Sequence, residues 1–95
     1  MIKISRKNDL IIIDGHSGYS EYGTDIVCSS VSSIAITSVN CILKYDEDAL
    51  KYKKKDGYLE IEILRHDNFI DIVIDNMLDM FKDLEKQYKD YVKLI

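Results

Sequence analysis

Residues 10–44, LIIIDGHSGYSEYGTDIVCSSVSSIAITSVNCILK, contain a strand, a glycine-rich loop and a long helix in succession. Leu10 to Ile13 is a short β-branched run, which is typical of a buried strand. The loop from Asp14 to Gly23 holds three of the four glycines in the chain. Thr24 or Asp25 can then cap a helix, because apolar residues recur at helical spacing from Val27 to about Lys44. This helix, roughly 30 Å long, is predicted to be central and largely buried.

The segments on either side of residues 10–44 predict one more strand before them, and a second hairpin followed by a helix after them. Ile2 and Ile4 alternate with polar residues, so residues 1–13 form a hairpin. Asp56-Gly57 is a two-residue turn pair between the alternating segments 49–55 and 58–64. A last helix is predicted to start near Asn68, as its cap, and its apolar stripe continues to Ile95. The fold class is therefore α+β, ββαββα, with a four-stranded antiparallel sheet and two helices in one domain, residues 1–95.

Size and composition exclude several classes of protein. Ninety-five residues provide one core and one small site, and 46% hydrophobic residues without proline or tryptophan are typical of a compact chain. No unbroken apolar run approaches the roughly 20 residues of a membrane helix, and the first residues lack a signal-peptide pattern. We therefore expect a cytoplasmic protein without membrane contact. Its two cysteines are expected to be thiols, since no C-x-x-C pair is present.

The charge distribution predicts no direct nucleic-acid binding. The net charge is −4 and the pI is about 5.0, whereas nucleic-acid binders carry a basic surface. Four lysines between residues 51 and 55 form the basic cluster, which is interpreted as a solvated hairpin tip. Four aspartates spaced by four residues, from Asp71 to Asp83, are interpreted as a solvated helix face that could also attract a basic partner.

The segment 15–28 contains a candidate catalytic pair. His16 follows a strand, and Cys28 lies in the first turn of the helix, where unpaired N–H groups favour a thiolate. An imidazole nearby can act as base toward the thiol and later as acid toward a leaving amine. N–H groups of the helix start, or of the glycine loop, could bind an oxyanion. Asp25 or Asp14 could orient the imidazole, and the sequence does not choose between them.

From physical reasoning alone, purely structural roles for the cysteine and the histidine have more weight than catalytic roles. Free cysteine is commonly buried packing, and a histidine beside glycine is commonly polar surface. Cys41, thirteen residues further along the helix and about 20 Å away, is expected to be inert packing. His66 is expected at the surface. Tyr19 and Tyr22 either line a pocket or pack on the scaffold, and no metal-ligand spacing is present.

A family resemblance changes this balance. The stretch GHSGYSEYGTDIVCSSVS resembles the signature of the ribosomal-processing cysteine protease family, Prp, which has the pattern G-H-[AS]-G-x-x-x-x-G-x-D-[IL]-V-C-[AS]-[AG]-[VI]-S. The matching positions are Gly15, His16, Gly18, Gly23, Asp25, Val27, Cys28 and Ser32. Length and element order resemble the family over essentially the whole chain. Serines at positions 17, 20 and 29, where many members carry alanine, and a shorter first hairpin are departures.

The resemblance implies an activity and a set of site residues. Cys28 is implied as nucleophile and His16 as general base, in a protease that removes the N-terminal extension of large-subunit ribosomal protein twenty-seven. A homodimer, a loop that orders over substrate, and a hydrophobic groove beside Cys28 are also implied, with neither metal nor organic cofactor. The implied substrate-binding or loop residues are Gly15, Gly18, Tyr19, Tyr22, Gly23 and Asp25. The alternative is a non-catalytic ribosome-associated module that binds a basic partner.

Overall fold

A computed structural model of the chain describes residues 1–21 and 23–95. The elements in chain order are β1 (Ile2–Lys7), β2 (Leu10–Asp14), α1 (Ile26–Tyr45), β3 (Leu50–Lys55), β4 (Tyr58–Ile63), α2 (Asn68–Gln87) and β5 (Val92–Leu94). The predicted ββαββα order is confirmed for the first six. A further strand follows them.

The sheet has five strands in the order β3-β4-β2-β1-β5. Strand β5 pairs with β1 in parallel, and the other neighbours are antiparallel. The prediction of a four-stranded, wholly antiparallel sheet was therefore wrong. Tyr88 and Tyr91 continue the helical spacing of α2, but the helix ends at Gln87 and both rings pack on the core from the turn beyond it. A strand of three residues is too short to show alternation in sequence.

One face of the sheet carries the core. Alternate residues of β1, β2 and β4 point into it, and both helices pack on that face and against each other. Helix α2 contributes Ile70, Ile74, Met77 and Phe81. Strand β3 contributes little beyond Leu50, since its remaining residues are exposed. The four lysines of the basic cluster therefore lie exposed along an edge strand, from Lys51 to Lys55, rather than only at the predicted hairpin tip.

Helix α1 is less buried than predicted. One stripe enters the core, with Val27, Val31, Ala35, Ser38, Val39 and Ile42 buried. Cys41 is exposed, so its prediction as packing was wrong: it lies on the solvent side of a helix that buries only one face. By length and composition α1 is also long and apolar enough to cross a membrane, a property that core helices of soluble proteins share. The sequence-based expectation of no membrane helix considered uninterrupted apolar runs, and polar residues interrupt the apolar ones in α1.

Helix α2 starts one residue after its cap. Asp67, rather than Asn68, is the N-cap, and its carboxylate accepts the N–H of Ile70 at 2.8 Å. His66 is exposed, as predicted, and its ring lies between Asp71 at 2.7 Å and Asp9 at 2.8 Å. These hydrogen bonds, that with Asp71 first, raise the pKa of His66. They join the β1–β2 turn to the first turn of α2.

The fifth strand is testable through Val92, which is fully buried, and its exposed neighbour Lys93. We expect V92A to lower the free energy of unfolding by about 2 kcal/mol, because apolar contacts with the core are lost. K93A should stay within about 0.5 kcal/mol of the wild type. Urea denaturation of both variants measures the difference. Equal, small effects would contradict the docking of β5 against β1.

Candidate active site

A cavity of about 980 Å³ lies between the first half of α1 and the β3–β4 turn. Cys28 and His16 both line it, although eleven residues of loop and helix start lie between them in sequence. Its apolar surface includes Ile13, Val31, Ala35, Ile36 and Leu59. The cavity thus combines the two candidate reactive side chains with an apolar lining.

Cys28 is half-buried in the first turn of α1. Its Sγ accepts the backbone N–H of Ser17 at 3.3 Å and lies 3.6 Å from the Ser17 hydroxyl. An N–H directed at sulfur stabilises negative charge there, as does the N-terminal end of a helix. The loop therefore contributes a donor to the thiol that the helix presents.

Asp25 is the N-cap of α1 and also holds the loop. Its Oδ1 accepts the N–H groups of Val27 at 2.9 Å and Cys28 at 3.0 Å, which caps the helix. Its Oδ2 accepts the Ser17 hydroxyl and the N–H groups of Tyr19 and Ser20 at 3.1 and 3.2 Å. Of the two caps considered from sequence, the structure selects Asp25.

The Asp25 carboxylate is buried yet ionised at neutral pH. Burial raises its pKa, but the hydrogen bonds from the Ser17 hydroxyl and from three backbone N–H groups outweigh burial and bring the pKa to about 2. Each of these bonds is made to the charged form, and such bonds are stronger than neutral ones. The helix start and the loop are therefore held by a full negative charge.

This arrangement occupies two of the helix-start donors that were considered for an oxyanion site. The N–H groups of Val27 and Cys28, at the start of α1, already donate to Asp25. They do not point to a substrate oxygen in this state. The glycine loop remains the source of donors considered from sequence, and Gly18 and Gly23 line the cavity.

His16 follows the end of β2 and lies beside the N-terminus and the β3–β4 turn. Its Nε2 lies 3.9 Å from Oδ2 of Asp56, and its carbonyl accepts the N-terminal ammonium of Met1 at 2.5 Å. The preceding Gly15 donates its N–H to the carbonyl of Gly57 at 2.8 Å. Gly15 has φ +106°, and a side chain there would collide with the Met1 carbonyl. The β3–β4 turn is thus part of the site, which sequence reasoning had treated only as a turn.

The remaining predicted site residues divide into two groups. Gly15, Gly18, Gly23 and Asp25 line the cavity. Tyr19 instead packs edge-on against Tyr88 and Tyr91, with ring centroids 5.6 and 5.2 Å apart. This contact corresponds to packing on the scaffold, one of the two roles considered for Tyr19 from sequence. Tyr22 lies outside the described residues. Within residues 1–21 and 23–95, no group of three potential ligands is arranged to hold a metal ion.

The hydrogen bonds to the Asp25 carboxylate predict that the D25N substitution lowers the free energy of unfolding in a pH-dependent way. Asparagine can still cap the helix, but its NH₂ group would face three donors. We expect a loss on the order of 1–3 kcal/mol at pH 7. Because the folded-state pKa is depressed, the stabilisation by the carboxylate is present above about pH 4 and disappears as the pH falls toward 2.

Urea denaturation of the wild type and D25N at a series of pH values from 7 to 3 measures this gap. D83N, at an exposed position of α2, is the matched control and should stay within about 0.5 kcal/mol of the wild type at pH 7. A gap for D25N that stays constant over the whole series would show that the carboxylate charge is not the stabilising element.

Known proteins resemble this chain over nearly its whole length. A family model described as cysteine protease Prp matches residues 1–93. The ribosomal processing cysteine protease Prp of Staphylococcus aureus strain Mu50 is 30% identical over 87 residues, covering 88% of this chain and 82% of that protein. Its counterpart in Bacillus subtilis strain 168 is 24% identical, with 84% and 78% covered.

Solved structures give the same result for the fold. A crystal structure of an essential ribosomal processing protease Prp from Staphylococcus aureus, in complex with a covalently linked product peptide, superposes with a TM-score of 0.87 at 25% identity. It covers 98% of this chain and 94% of that chain. A second structure from that organism, with a substrate peptide, has a TM-score of 0.81 at 24% identity and 99% and 95% coverage.

Proposed function

The chain belongs to the cysteine protease Prp family and is a cysteine protease; from this premise we propose that Cys28 is its nucleophile and His16 its general base. The observation that carries the proposal is their shared cavity, in which Cys28 Sγ also accepts the N–H of Ser17. Cys41, by contrast, is exposed on the solvent side of α1. Cys28 is therefore the thiol that combines a donor, a helix N-terminus and a histidine.

The proposed reaction is acyl transfer to sulfur followed by hydrolysis. His16 takes the proton of the Cys28 thiol, and the sulfur attacks the carbonyl carbon of the scissile peptide bond. The imidazolium then protonates the leaving amine, which releases the C-terminal product. A water molecule, deprotonated by His16, attacks the thioester, the C–S bond breaks to release the N-terminal product as a carboxylic acid, and the imidazolium returns its proton to the sulfur. Donors in the glycine loop stabilise the oxyanion in both steps.

The proposed substrate is the precursor of large-subunit ribosomal protein twenty-seven, cut to remove its N-terminal extension. Two observations support a substrate of this class. The relatives are ribosomal processing proteases, and the Staphylococcus aureus enzyme has been solved with substrate and product peptides. The apolar part of the cavity lining, which includes Ile36 and Leu59, suits an apolar side chain next to the scissile bond.

Location and assembly complete the proposal. We infer a cytoplasmic homodimer that acts on the ribosomal protein precursor and makes no direct contact with nucleic acid or membrane. The acidic net charge supports the absence of a nucleic-acid contact. It also suits a basic ribosomal protein as partner.

Cleavage by single-residue variants tests the two catalytic assignments. We expect C28A and H16A each to lower kcat/KM on a peptide spanning the extension by at least about 10³-fold, because each removes a group that takes part in bond formation or proton transfer. C41A and H66A are the matched controls and should retain wild-type activity, since both residues lie outside the cavity.

Mass spectrometry of the products measures both the rate and the position of the cut. A C28A variant that cleaves like the wild type would refute the nucleophile. If the wild type and C28A are both inert but bind the precursor equally, the non-catalytic binding module considered from sequence becomes the better description of this chain.

The rate of alkylation by iodoacetamide tests the state of the thiol without a substrate. Exposure by itself would make Cys41 react faster, because Cys28 is only half exposed. We expect the reverse order at neutral pH, since only Cys28 has the Ser17 N–H and the helix N-terminus beside it. Single-cysteine variants C41S and C28S give the two rates separately. Faster labelling of Cys41 would contradict an activated Cys28.

A further inference from the structure

We propose that Asp56, in the β3–β4 turn, is a positioning residue for His16, and that Gly57 provides the surface on which the imidazole rests. The proposal rests on the assignment of His16 as general base and adds to it a third group, contributed by another part of the chain. The Asp56-Gly57 pair was interpreted from sequence as a hairpin turn. The structure assigns it a second role.

The contacts of His16 place this turn beside the imidazole. Nε2 lies 3.9 Å from Asp56 Oδ2. A methyl group on Gly57 would lie 2.6 Å from Nε2 and 3.1 and 3.2 Å from the two adjoining ring carbons. The Nε2 edge of the ring therefore faces the turn at a distance that only glycine permits. Nδ1, at the other edge, is then the nitrogen that exchanges a proton with Cys28 in this proposal.

The backbone holds the turn in this place. Gly15, directly before His16, donates its N–H to the Gly57 carbonyl at 2.8 Å. Strand β2 pairs with β4 over the whole length of β2, and Asp14 lies opposite Tyr58 in that register. The end of β2 and the start of β4 therefore keep residues 16 and 57 together independently of the Asp56 side chain.

Asp25 and Asp14, the two carboxylates considered from sequence, take other positions in the fold. Asp25 has both oxygens engaged by five donors of the helix start and the loop. Asp14 is the last residue of β2 and lies opposite Lys3 and Tyr58 in the sheet. The fold brings the carboxylate of Asp56 within 4 Å of Nε2 of His16.

The chemistry requires a negative charge at this point. When His16 takes the thiol proton, the imidazole becomes a cation, and the Asp56 carboxylate compensates that charge and fixes the ring orientation. No proton passes to Asp56. Lys54 and Lys55, the last two residues of β3, line the same cavity, so the Asp56 carboxylate also offsets positive charge near the new cation. Because His16 and Asp56 are both well exposed, solvent screens the pair and the effect is moderate.

Steady-state kinetics test the role of Asp56. We expect D56N to lower kcat roughly three- to tenfold with KM unchanged, because Asp56 acts through His16 and does not contact substrate. D56E, which keeps the charge, should recover most of the lost rate. D83N, an exposed aspartate on α2, should leave kcat unchanged. A D56N enzyme with wild-type kcat, or with the loss confined to KM, overturns the proposal.

Alkylation of Cys28 gives a readout that does not depend on turnover. In the C41S background, D56N should slow the reaction of Cys28 with iodoacetamide. The same substitution should have no further effect when His16 is already alanine. An equal effect of D56N with and without His16 would mean that Asp56 acts on the thiol or the fold directly, and the positioning role would be wrong.

Gly57 is tested against a strained position in the other hairpin. G57A introduces a methyl group into the space of the imidazole at a residue with φ +68°. N8A also places alanine at positive φ, since Asn8 has φ 56°, but it lies in the β1–β2 turn. We expect G57A to lower kcat at least tenfold more than N8A at similar cost in folding stability. Equal kcat values for the two variants overturn the role of Gly57.

The wild-type enzyme separates failure of this inference from failure of the function itself. If the wild type cleaves the peptide and C28A does not, the protease assignment stands whatever D56N does. If the wild type is inert and its Cys28 reacts no faster than Cys41, the catalytic assignments fail, and the role of Asp56 fails with them.

Discussion

Ionised Asp25 joins the start of α1 to the loop that precedes it. Five donors converge on its two oxygens, two from the helix start and three from the loop. A buried carboxylate is costly unless it is hydrogen-bonded, so these donors and the charge are mutually dependent. Since Ser17 both donates to Asp25 and directs its own N–H at Cys28, the position of the sulfur relative to the loop follows from this cluster.

The second constraint comes from the sheet. Strand β4 lies next to β2, which brings the β3–β4 turn to the residue that precedes His16. The thiol is therefore positioned by a helix and its cap, whereas the imidazole is positioned by a sheet. The helix and the sheet share one hydrophobic core and both line the cavity.

Local patterns in the sequence were sufficient for most elements. The helical spacing from Val27 to Ile42 and the turn pair Asp56-Gly57 both act within a few residues, and both elements were predicted correctly. The parallel pairing of β5 with β1 was not, because it depends on contacts more than eighty residues apart in sequence. The exposure of Cys41 was missed for a related reason: a helix of small and apolar residues does not show in sequence which face meets the sheet.

The residues of the candidate site likewise divide into those that local sequence indicates and those that depend on distant contacts. Cys28, His16 and Asp25 lie in one short segment, so local chemistry makes them candidates, and the family resemblance gives the catalytic roles more weight than packing and surface roles. Asp56 and Gly57 could not be recognised, since their role depends on the order of strands in the sheet. Of the two roles considered for Tyr19, the ring contacts correspond to packing on the scaffold, because Tyr88 and Tyr91, beyond the end of α2, offer its ring a packing surface.

The lysines of β3 have a consequence for behaviour in concentrated solution. Strand β3 is one edge of the sheet, and it is long enough to add a neighbouring chain through its unpaired backbone groups. Four lysines in five positions, from Lys51 to Lys55, make this edge strongly cationic. Two copies that approached one another along it would repel, and each would have to desolvate its ammonium groups. The edge thus resists fibril-like growth, and copies of the chain are directed to associate through other surfaces.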